Sequence, residues 1–156
     1  PSSLSTVAGA GDMPVAISGN LFGMDQPSFD RLVTETMYGR NAGPLVTFTT
    51  KPKEGSTENY RVEMLFGAPR TMSYLQLCKG PLPAAIGETD SEGRVKVLAA
   101  YCYKDVVQSG AMSLHAVEAG AAGEGFTDMI HAMMTTMFPL KDPYRQNDCG
   151  LARIDC

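Results

Sequence analysis

The sequence has no tryptophan, two histidines and only 19% charged residues, and it contains no long apolar run. A membrane-spanning helix needs roughly 18 or more consecutive apolar residues, and no stretch approaches that length. Positive charge is also in short supply. Thirteen basic residues stand against seventeen acidic ones, for a formal charge of −4, and they are scattered from Arg31 to Arg153. A protein that holds nucleic acid through its phosphates needs a clustered basic face, so nucleic acid is excluded as an expected partner.

Catalytic signatures are missing as well. No serine stands in a G-x-S-x-G nucleophile elbow, and no two cysteines are spaced as in a zinc knuckle or a thioredoxin-like redox site. The glycine-rich segment Gly120 to Phe126 (GAAGEGF) lacks the Lys and Ser/Thr of a Walker loop and the G-x-G-x-x-G of a dinucleotide site. It reads as a loop that turns the chain into a helix. No cofactor is expected.

What is present is globular: 44% hydrophobic residues in a 156-residue chain, enough for one core. The first thirteen residues, PSSLSTVAGAGDM, are small and polar and have no signal-peptide core. Two readings of them stay open, a start exposed by removal of a leader and a segment behind a lipid-modified cysteine. The expected organisation is a flexible tether over 1–14, one domain over 15–140 and a closed tail over 141–156.

Four cysteines, Cys78, Cys102, Cys149 and Cys156, allow three pairings. Cys78 and Cys102 end β-like segments, and Cys149 and Cys156 close a short C-terminal loop. Cys78–Cys102 with Cys149–Cys156 is the expected pairing. Disulfides persist in oxidising compartments, which points to the periplasm or the cell exterior.

Asp25 offers a helix N-cap, with Pro27 in the first turn and Phe29, Leu32, Val33 and Met37 on one face. Gly39 is a natural stop. Short strands are expected at Val15–Ile17 and Leu45–Thr50, and a half-buried strand at Tyr60–Phe66, where apolar and charged residues alternate. Tyr74–Cys78 reads as another short strand. Arg94–Tyr103 alternates most clearly, and Lys104-Asp105 turns it into a returning strand over Gln108–Val117. Phe126, Met129, Ile130, Met133 and Met137 then recur at helical spacing, and Pro139 ends the helix. This order predicts an α+β fold, an antiparallel sheet of four to five strands with two amphipathic helices packed on one face. A helix, antiparallel strands and a closing helix resemble small bacterial envelope lipoproteins that serve as accessory subunits. That resemblance of element order carries no residue across.

Two residue groups invite chemistry. His115 precedes Glu118 by three residues, a spacing that puts the two on opposite faces of a strand, so the expected role is a surface or strand-end histidine and no catalytic residue is assigned. In the last helix His131 lies among Met129, Met133, Met134 and Met137, soft ligands that suit copper(I). The same methionines share a face with Phe126 and Ile130, which makes them core gap-fillers in the preferred reading. The expected function is that of a non-enzymatic exported accessory protein that binds another envelope protein. A small-ligand or copper-binding protein and a small hydrolase without a recognisable motif are the alternatives.

Overall fold

The computed structural model describes residues 12–40, 46–51, 59–80, 82, 89–116 and 124–139. Five strands form one sheet: β1 Asp12–Ser18, β2 Thr47–Thr49, β3 Tyr60–Phe66, β4 Arg94–Tyr103 and β5 Val106–Ala116, in the spatial order β2-β1-β3-β4-β5. Helix α1 (Gln26–Met37) joins β1 to β2, and helix α2 (Glu124–Met137) follows β5.

The fold is α+β as expected, but the sheet is mixed rather than antiparallel. β1 runs parallel to both β2 and β3, and only β3–β4 and β4–β5 are antiparallel. Helix α1 is the reason. Its twelve residues rise about 18 Å and carry the chain back along the sheet, so β2 starts at the same end as β1. The partners of β1 divide it between them: β2 pairs with Asp12–Pro14, and β3 with Val15–Ser18. Pro14, which has no N–H to donate, sits at the changeover. β1 also begins earlier than expected. Asp12 and Met13 are buried, so residues 12–14 of the anticipated tether belong to the sheet.

Local chemistry explains the helices. The Asp25 carboxylate accepts hydrogen bonds from the Ser28 N–H at 3.0 Å and the Ser28 hydroxyl at 2.8 Å, capping α1. Phe29, Val33 and Met37 of α1 enter the core, together with Phe126, Met129, Ile130, Met133, Met134 and Met137 of α2. Both helices cover one face of the sheet, over Met13, Val15, Val62, Met64, Phe66, Val95, Val97 and Ala99. Phe29 meets Phe66 edge-on at 4.9 Å, and Phe22 meets Phe126 at 5.2 Å.

A layer on the other face was not anticipated. Leu65, Leu98, Ala100 and Cys102 point away from the helices yet are buried, because residues 67–80 fold over them with Ala68, Met72, Leu77 and Cys78. This cap contains a 3₁₀ turn at Tyr74–Gln76, where the sequence suggested a strand. Ser73 and Gln76 form a reciprocal capping box around it, which fixes a tight turn and leaves Leu75 exposed. The sheet is therefore sandwiched at its centre between two helices and a cap.

Candidate functional site

Cys78 at the end of the cap is bonded to Cys102 in β4. Arg61 reinforces the same corner: its guanidinium donates to the Cys78 carbonyl at 3.2 Å and to the Lys104 carbonyl at 2.7 Å, and pairs with Glu63. Cys149 and Cys156, the tail over 141–156, Glu118 and residues 1–11 lie outside the described residues.

The cap stops short of the sheet's edge. Its last cover on β5 is Tyr74, whose ring lies on Gly110 so closely that a Cβ there would fall 2.1 Å from a ring carbon. Next along this open face of β5, Met112 and Leu114 are 54% and 41% exposed. They pair in register with Leu98 and Lys96 of β4. Together with Ala68, Arg70, Asp90, Ser91, Arg94 and Lys96 they line a cleft of about 410 Å³. That volume lies within the range of small-ligand clefts.

The charges in the cleft differ in how they are held. Arg94 pairs with Asp90 at 2.9 Å and reaches Glu92 at 3.4 Å. The Asp90 carboxyl sits below the usual carboxylate range, first because it accepts from the Arg94 backbone N–H and further because it accepts from the Glu92 N–H and the Arg94 side chain. Arg70 donates to the Thr89 carbonyl. Lys96 is different. Its ammonium donates to the carbonyls of Arg70 at 2.8 Å and Met72 at 2.6 Å, and among the described residues no carboxylate pairs with it. Two carbonyl dipoles fix the charge in place without neutralising it, and a third N–H remains to be given.

β5 itself is the outermost strand, and among the described residues none lies beyond it. Its helix face is covered by α2. The Ser109 hydroxyl donates to the Met137 carbonyl at 2.9 Å, and His115 packs on Phe126, so α2 runs antiparallel along the strand. Among the described residues the outer edge has no comparable cover.

The residues singled out from the sequence fall elsewhere. His115 is buried, not on the surface: it is 4% exposed and lies edge-on to Phe22 at 5.9 Å and Phe126 at 5.6 Å. Its place near the end of a strand is as expected, one residue before β5 stops, but β5 continues under the first turn of α2 and so buries it. Burial lowers the His115 pKa, and its Nε2 has no hydrogen-bond partner among the described residues. Met129, Met133, Met134 and Met137 are buried in the helix-side core, and His131 is half-buried. Their thioethers pack with Phe126 and Ile130 in one cluster. Among the described residues no three His, Cys, Asp or Glu side chains converge as a metal site. No described helix is long and apolar enough to cross a membrane.

The cleft and the edge were missed from the sequence. A signal was there: Val106–Ala116, VVQSGAMSLHA, contains no Asp, Glu, Lys, Arg or Pro. No family model, no curated protein and no solved structure matches the chain.

Proposed function

We propose that this chain is a non-enzymatic exported protein of the periplasm or cell exterior, and that it works by binding another envelope protein. The contact is the outer edge of β5, which takes up an extended segment of the partner as a sixth strand. One observation carries this reading. β5 is an eleven-residue edge strand that lacks the devices by which sheets avoid pairing with neighbours, namely charged side chains, proline and short length. Its one irregularity, opposite Tyr101/Cys102, falls near the hairpin end and leaves Ser109–Ala116 in unbroken register. The exposed apolar side chains Met112 and Leu114 flank that edge. The buried Cys78–Cys102 bond supports an oxidising location.

The test is site-specific photocrosslinking in the producing cell. A photoreactive residue at Met112 is expected to give a discrete adduct with one other protein, while the same residue at exposed Glu35 on α1 gives none. Equal labelling from both positions, or no adduct from Met112, refutes the reading.

A further inference from the structure

The cleft beside the edge points to what the partner brings. We infer that the segment received by β5 carries an acidic side chain, and that its carboxylate enters the cleft and is held by Lys96. This rests on the edge-pairing reading above and adds the partner's charge to it.

Lys96 is the central observation. The half-buried Lys96 ammonium is fixed by two backbone carbonyls and faces a cleft with one N–H to spare. Neighbouring Arg94 already has two carboxylates, Asp90 and Glu92, whereas no carboxylate among the described residues forms an ion pair with Lys96. Beside Lys96 on the same face of the sheet, Leu114 and Met112 make the cleft apolar towards β5. A carboxylate on a short methylene stem suits both the charge and this apolar surface.

The geometry brings such a group within reach. An added strand lies about 5 Å from β5, and Met112 and Leu114 of β5 already line the cleft. A glutamate on the added strand's open face then leans over Leu114, whose register partner is Lys96. Successive residues of a strand point to opposite faces, so with glutamates on the cleft face and apolar residues on the helix side the segment expected is one of alternating apolar and acidic character.

The experiment uses the full chain and a fluorescent, end-blocked hexapeptide of alternating valine and glutamate, with an otherwise identical valine–lysine peptide beside it. Binding is read by anisotropy. The glutamate peptide is expected to bind at least about tenfold more tightly than the lysine peptide, and its affinity falls as ionic strength rises. Leu114→Glu, at an exposed position that keeps the fold, sets a carboxylate opposite Lys96 from within and is expected to abolish this preference. Lys96→Met should do the same, with the melting curve checked because Lys96 also ties the cap. If both peptides bind equally, the carboxylate inference fails while the edge reading survives. If neither binds at millimolar peptide, both fail. Displacement of the peptide by free hexanoate at equal concentration would reassign the cleft to a small acid and overturn the inference. Self-association of the chain with the peptide excluded would reassign the edge to a second copy and overturn it too.

Discussion

Cutting the bond between Cys78 and Cys102 should cost this fold a calculable amount. The bridge closes a loop across a sequence separation of 24. Restricting an unfolded chain with a loop of that length removes about 12 cal/mol/K of entropy, or roughly 3.5 kcal/mol at 25 °C. For a chain of this size that is a fall in Tm of roughly 10 °C. With a urea slope of about 2 kcal/mol/M, the midpoint falls by nearly 2 M. The clean comparison uses a Cys149→Ser/Cys156→Ser background, unfolded and refolded with and without reductant, followed by urea titration. Rate is a second readout. Cys102 is 0% and Cys78 1% exposed, so a thiolate in solution has no path to either sulfur until the cap lifts. Reduction in native buffer should therefore be slow and should accelerate with urea. A stability loss below about 1 kcal/mol, or reduction as fast as for an open disulfide, would refute the picture of a bridge that clamps the cap to β4.

Other perturbations bear on the site and its support. Gly110→Ala drives a Cβ into the Tyr74 ring, and the cap must move away from β5, at about 1–3 kcal/mol and with Tyr74 becoming more accessible by fluorescence quenching. Asp25→Ala removes the cap of α1 and should lower stability by about 1 kcal/mol in urea titration. His115 stays neutral in the folded state at a pH where the unfolded chain already takes up a proton. Stability is then complete above the unfolded value of 6.5 and is lost as pH falls from there towards the lowered folded-state value, at up to about 1.4 kcal/mol per pH unit. His115→Phe should remove that component of the slope, and an unchanged pH profile would show that burial of His115 is not its source.

The parts of the fold visible in the sequence were those encoded by near neighbours. Val95, Val97, Ala99 and Tyr101 alternate along β4, and Asp25 with Pro27 marks the start of α1, so both elements could be placed without knowing what they pack against. Sheet order is a different kind of information. Nothing local to Val15–Ser18 says that its partner is Val62–Leu65 and that the two run parallel. Tyr74–Cys78 misled because Tyr, Leu and Cys suit a strand, although Ser73 and Gln76 carried the capping box that makes it a turn. The candidate site failed for the same reason as the sheet order. The lack of charge in Val106–Ala116 is plain in the sequence, but it acquires meaning only when β5 is known to be outermost. Lys96 owes its fixed position to the cap, whose Arg70 and Met72 carbonyls lie 26 and 24 residues away in sequence, which no local pattern announces.

The divided pairing of β1 has a consequence for the order in which the molecule assembles. β4 and β5 are joined by two residues, Lys104 and Asp105, and can meet as soon as both exist. Val15 must wait for Val62, 47 residues later, a closure that local structure does little to hasten. A chain emerging N-terminus first therefore presents β1 before either of its neighbours. It remains an unsatisfied strand until the centre of the sheet has followed it out. Pulse-labelled amide exchange during refolding should find Arg94–Ala116 protected before Asp12–Ser18, with the first strand of the chain the last to take its place.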